Sequence, residues 1–107
     1  MDFQEIIIGL IVNAGNAKSK AMEAIKCAKT GHFNKAETFL IEAEQQMSEA
    51  HKVQTSLIQG EARGESYQVS LLMVHAQDHL MTSLTIQDLA REFVDLYKKT
   101  DTRKVEC

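Results

Sequence analysis

The 107-residue chain has no proline, no tryptophan, only two cysteines and few aromatic side chains of any kind. Each scarcity narrows the options. Without proline, nothing removes a backbone donor or blocks a helix interior. The abundance of Ala, Leu, Ile, Met, Glu, Gln and Lys then favours long uninterrupted helices. Cys27 and Cys107 make no disulfide framework, so a reducing compartment is the default. Excess positive charge is also lacking. The formal net charge of −3 argues against nucleic acid as a partner, because phosphates call for a basic field. The nearest basic cluster, Lys98–Lys99 with Arg103–Lys104, reads as a solubilising tail. Long hydrophobic runs are missing too. The stretch from Ile6 to Val12 falls far short of the roughly 20 residues needed to span a bilayer. The N-terminus shows no basic-then-apolar leader pattern, so a soluble cytoplasmic protein without membrane insertion is expected.

What the chain does have is an ordinary globular composition, 44% hydrophobic and 25% charged. Its length suits one domain, residues 1–107, with a core small enough that self-association would help. Three helical segments, about residues 2–30, 34–59 and 67–99, are separated by two breaks. In the first break Gly31 suits the residue after a helix, and Asn34 with Glu37 resembles an N-cap with its reciprocal partner. The second runs from Gly60 to Ser66. In the middle segment Ala36, Leu40, Ala43, Met47, Ala50, Gln54 and Leu57 alternate spacings of four and three, a seam between nearly parallel helices. With short connections, this predicts an all-α fold, an antiparallel up-down-up three-helix bundle. In the first segment, Gly9 and Gly15 imply either close approach of a neighbouring backbone or a kink near residues 13–16. Mere tolerance of both glycines fits equally well.

The third segment carries more apolar surface than one small bundle can cover. In its back half Ile86, Leu89, Ala90, Phe93, Leu96 and Tyr97 form the expected buried face, opposite Gln87, Asp88, Arg91, Glu92 and Asp95. In its front half Val69, Leu71, Leu72, Met73, Val74, Ala76, Leu80, Met81 and Leu84 surround the helix. A helix apolar on all sides is buried on all sides, which implies a second subunit against residues 69–84. Within that stretch His75, Asp78, His79 and Thr82 share an arc that continues the apolar face of the back half. His75 can touch both Asp78 and His79 at helical spacing. A buried carboxylate needs a partner, so Asp78 calls for a protonated histidine, a metal ion or copies of itself around a symmetry axis.

Several chemistries lack their residues. His75 and His79 have a ligand spacing but no accompanying Glu or Cys set for zinc. No G-x-S-x-G elbow and no Gly-rich phosphate loop is present. His32 and His51 stand alone and read as surface residues. A histidine that accepts a phosphoryl group remains attractive, because neutral imidazole is nucleophilic near pH 7 and one residue per chain suffices. The competing reading is a non-catalytic oligomeric adaptor whose His/Asp cluster sets only the register. A metal-storage bundle is disfavoured by the single aspartate.

The segment Ser70-Leu-Leu-Met-Val-His75-Ala-Gln-Asp78-His-Leu-Met81-Thr-Ser resembles the phosphorylation-site segment of the lactose/cellobiose family of enzyme IIA. These are components of the bacterial phosphoenolpyruvate-dependent sugar phosphotransferase system. Ile8-Gly-Leu-Ile-Val-Asn-Ala-Gly-Asn16 with Ala21-Met-Glu-Ala, then Gly31-His-Phe33 and Glu49-Ala-His-Lys-Val-Gln-Thr55, extend the resemblance over nearly the whole chain. His32 departs from the aspartate common at its place. The resemblance implies a three-helix bundle assembled as a homotrimer of nine helices. It implies that His75 is the phosphoryl acceptor, on its tele nitrogen, and that Asp78 binds Mg2+ or another divalent cation shared at the trimer axis. Gln77 and His79 are implied as supporting residues. The partners implied are the histidine phosphocarrier protein HPr as donor, a cysteine of the cognate enzyme IIB as acceptor, and membrane enzyme IIC indirectly. The wording of the motif points toward cellobiose or diacetylchitobiose members rather than lactose members.

Overall fold

A computed structural model describes residues 3–102, which form three helices and no strand. Asp2, Arg103, Lys104 and Cys107 lie outside the described residues. Helix α1 spans Phe3–Lys29, α2 spans Phe33–Ala62 and α3 spans Leu71–Thr100. They lie up, down and up in a rod of 56 × 21 × 20 Å. The third helix begins four residues later than the sequence pattern suggested. Its start is fixed by Ser70, whose Oγ accepts from the Met73 amide at 3.1 Å.

Both connections close in the same way. At the end of α1 the Gly31 amide donates to Ala28 and the His32 amide to Cys27, with Gly31 at φ 83°. At the end of α2 the Gly64 amide donates to Glu61 and the Glu65 amide to Gly60, with Gly64 at φ 96°. These paired bonds satisfy the last carbonyls of each helix, and the left-handed residue favours glycine. The expected cap at Asn34 is corrected. His32 occupies the N-cap without a side-chain cap bond, and Asn34 already lies inside α2. Glu37 instead binds α3, accepting from Arg91 Nη1 at 2.9 and 2.8 Å and from Lys98 Nζ at 2.6 Å. Gly60 is no break either. It is buried inside α2, where a Cβ would collide with the Tyr67 hydroxyl. Tyr67 also stacks on Phe3 with ring centroids 5.3 Å apart, pinning the α2–α3 connection to the start of α1.

α1 lies between its neighbours and packs extensively on both, whereas α2 and α3 meet far less. Its buried stripe is Ile7, Leu10, Ala14, Ala17, Ala21, Ala24 and Ala28, which lets the helices approach closely. The seam of α2 is buried as the spacing predicts, with Leu57 half-buried at its end. Its polar member, Gln54, donates to Gln77 Oε1 on α3 at 2.7 Å, so the buried amide is paired.

The face of α3 is a second correction. The stripe that enters the bundle is Ala76, Leu80, Ser83, Ala90 and Val94. Leu89, Phe93 and Leu96, expected inside, are each about half exposed, and so are Val74 and Met81. Leu71 is 86% exposed. About half of the large apolar residues of α3 thus lie opposite its buried stripe, while Leu72, Met73, Leu84, Ile86 and Tyr97 pack half-buried against the core. The surplus apolar circumference read from the sequence is real, and this chain does not cover it.

Candidate functional site

Helical spacing on α3 sets the site. Ala76 and Leu80 are buried and anchor the helix in the bundle, which turns His75 and Asp78 to the outside. Asp78 is therefore not buried by its own chain, contrary to the expectation from the wheel. The Thr82 hydroxyl donates to the Asp78 carbonyl at 2.9 Å, so it returns to its own helix backbone. His75, Asp78 and Thr82 share the outward face with Val74, Met81 and Leu89.

His79 sits at the edge of that face, half-buried between α3 and α1. Its ring stacks on His75 with centroids 5.6 Å apart and planes inclined by 13°. On its other side it meets α1 at Gly15, where a Cβ would come within 3.1 Å of Nε2. This explains Gly15, for which the sequence left backbone approach, a kink and mere tolerance open. The approaching group is a side chain, and α1 continues unbroken through it. Gly9 has open space beside it and is simply tolerated. Desolvation, then Lys18 and His75 nearby, lower the pKa of His79 below its usual value, against a smaller opposing effect of Asp78. His79 is thus a neutral ring at neutral pH.

Gln77 does not join this group. It points into the α2–α3 contact, where it accepts from Gln54 and its Nε2 lies 3.7 Å from Met73 Sδ. His32 and His51 are exposed and far along the chain from the cluster, and His32 Nδ1 lies 2.8 Å from Thr30 Oγ1. Among the described residues no three His, Cys, Asp or Glu side chains converge on a point where one chain would hold a metal ion. Sequence reasoning missed Lys18, which carries positive charge near His79, and it did not connect Gly15 with the His79 ring that Gly15 makes room for. The signal available was spacing: residues 15 and 18 are one turn apart on α1.

A sequence profile described as the lactose/cellobiose-specific IIA subunit of the PTS system matches residues 5–98. The chain belongs to that family. The lichenan-specific phosphotransferase enzyme IIA component of Bacillus subtilis (strain 168) is 48% identical over 98 residues, covering 92% of this chain and 89% of the relative. The crystal structure of the PTS cellobiose-specific enzyme IIA from Bacillus anthracis superposes with a TM-score of 0.91 at 48% identity, covering 97% of this chain and 96% of that one. A solution structure of the IIA(Chitobiose)–HPr complex from Escherichia coli matches with a TM-score of 0.80 at 42% identity, covering 92% and 96%. At these identities and coverages the enzyme IIA fold extends over the three helices of this family member. Among the described residues no helix is long and apolar enough to cross a membrane.

Proposed function

We propose that this chain is a cytoplasmic phosphocarrier that takes a phosphoryl group from phospho-HPr on His75 and passes it to a cysteine of its enzyme IIB. The observation that carries the reading is the exposed His75 imidazole on a helix whose opposite side is locked into the bundle. A neutral imidazole nitrogen, the tele position in this reading, attacks phosphorus in line as the N–P bond of the donor histidine breaks. The other ring nitrogen keeps its proton throughout. In the second step the N–P bond at His75 breaks as a thiolate of enzyme IIB attacks, and His75 leaves as neutral imidazole. Membrane enzyme IIC then provides the sugar. Relatives named for cellobiose and chitobiose fit a disaccharide of that type.

The same reading includes a homotrimer. The outward apolar stripe of α3 supports it, since a chain of this size gains most by covering such a face with copies of itself. Asp78 falls in the middle of that stripe, so three copies would bring three carboxylates together. Like charges in one place need a cation, and Asp78 from each chain would hold it, Mg2+ being the ion in this reading. The ion would neutralise the carboxylates and take no part in the transfer at His75.

Incubation with phosphoenolpyruvate, enzyme I and HPr tests the carrier role. The wild type takes up one acid-labile phosphate per chain and His75→Gln takes up none. Uptake by His75→Gln rejects His75 as the acceptor, and none by the wild type rejects the carrier role and favours an adaptor. For the axis, the solution mass of the wild type falls with chelator while that of Asp78→Leu does not. A wild-type mass indifferent to chelator rejects the shared ion.

A further inference from the structure

An exposed imidazole on a helix hops between rotamers in picoseconds to nanoseconds, whereas in-line transfer rewards a nucleophile held in one pose. Among the described residues, the His75 ring makes no hydrogen bond and no ion pair. Its one ring contact is the face of His79, 5.6 Å away between centroids and inclined by 13°. That separation and near-parallel geometry fall in the range of favourable ring pairs.

His79 is itself held. It is half-buried between two helices, and its far edge reaches the α1 backbone at Gly15. The space left for a Cβ there is 3.1 Å from Nε2, tighter than ordinary contact. Any side chain at residue 15 must push the ring a few tenths of an ångström or more. A second glycine on the same helix, Gly9, has nothing near it, so the close approach is particular to Gly15.

We infer that Gly15 and His79 form a positioning device for the acceptor: the α1 backbone seats the His79 ring, and that ring's flat face holds the His75 imidazole in its reactive pose. This rests on His75 being the phosphoryl acceptor. His79 touches no reacting atom in this arrangement and is a positioning residue. The face of the ring matters here, and its nitrogens do not. That separates the device from a hydrogen-bond or proton relay, in which a nitrogen would be needed.

Two variants of His79 divide these roles. His79→Phe keeps a flat ring and loses the nitrogens. His79→Gln keeps a polar N–H near the Nε2 position and loses the ring. Initial rates of phosphoryl transfer from phospho-HPr are measured on the full chain over a range of HPr concentrations, with helix content followed by circular dichroism. Phe should retain kcat within about twofold, and Gln should lose about tenfold or more with KM for phospho-HPr little changed, as for a lost transition-state pose. Gly15→Ala should slow transfer several-fold while Tm holds or rises, since alanine is the better helix former. The ring-current shift on the His75 ring protons should survive in His79→Phe and vanish in His79→Gln. Full activity of His79→Gln, or Phe as slow as Gln, overturns the device. Absence of phosphate on the wild type, or its presence on His75→Gln, instead fails the carrier reading beneath it.

Discussion

The two sides of α3 are built from different stock. The fully buried stripe is small, Ala76, Leu80, Ser83, Ala90 and Val94, with Leu72, Met73, Leu84, Ile86 and Tyr97 half-buried along its flanks. The side facing away carries Leu71, Val74, Met81, Leu89, Phe93 and Leu96. A helix normally turns its larger apolar residues to its own core. Here the small stripe lets α3 lie close to the alanine stripe of α1, and those six larger side chains are left for another surface. The contrast teaches that intrachain packing in this molecule is tight but thin. Among the described residues the large apolar side chains held almost wholly from water are Ile7, Leu10, Phe33, Leu40, Met47 and Leu80. The charge and chemistry of the molecule, His75 and Asp78, also sit on the outward side.

The largest test of this contrast puts charge on the outward side. Leu89→Asp with Phe93→Asp should reduce an assembled species to the single-chain mass in analytical ultracentrifugation while helix content stays near that of the parent. The inward side should answer differently. Leu80→Ala should cost about 2–5 kcal/mol of unfolding free energy at every protein concentration, the usual price of emptying a packed leucine site. Its neighbour Met81→Ala should cost less, by an amount that shrinks on dilution, because Met81 is half exposed in the single chain. Urea unfolding at two concentrations compares them.

A smaller effect belongs to the ionic clasp between α2 and α3. Hydrogen bonds from Arg91, then Lys98, hold the Glu37 carboxyl below the ordinary value of 4.5, against partial burial. A lowered pKa in the folded chain means that stability from the clasp is present above the unfolded value. It is lost as pH falls through the folded one, in the acid range below 4.5. Glu37→Gln should remove about 0.5–1 kcal/mol at neutral pH, less in high salt, since the cations are partly solvated. The pH–stability curve of Glu37→Gln should then run flatter than the parent's below pH 4.5. Similar in size and opposite in sign, Gly9→Ala should stabilise by about 0.5–1 kcal/mol, with space beside it and no ring to displace. Thermal melts show whether it also leaves phosphoryl uptake unchanged, as the contrast with Gly15 requires.

Much of the site could be read before any coordinates. The α2 seam from Ala36 to Leu57 was legible because alternating spacings of four and three leave one choice of face, and even its odd member, Gln54, was visible as odd. The pairing of His75 with His79 followed from helical spacing alone. The buried face of α3 was legible only in part. Ala90 is buried and Ile86 and Tyr97 pack on the core as expected, but Leu89, Phe93 and Leu96 turn outward and Val94 takes a place inside. A wheel shows two apolar faces and cannot say which belongs to the chain's own core. Glu37 and Asn34 misled for a related reason. A capping pattern is local, and Arg91 and Lys98, more than fifty residues away, offered Glu37 a stronger partner.

By itself, then, the sequence determined that this chain is helical, where its turns fall to within a few residues, and that one face of its third helix carries two imidazoles and a carboxylate. Those properties follow from local rules: absent proline, helix-ending glycines and a period near 3.6. Only the tertiary structure decided that His79 leans on Gly15, that Gln77 bonds Gln54 in the interior, and that Asp78 faces outward. Each of these depends on the rotation and height of one helix against another. Those are fixed by how small side chains interlock across the bundle, and no single stretch of sequence contains both sides of that contact.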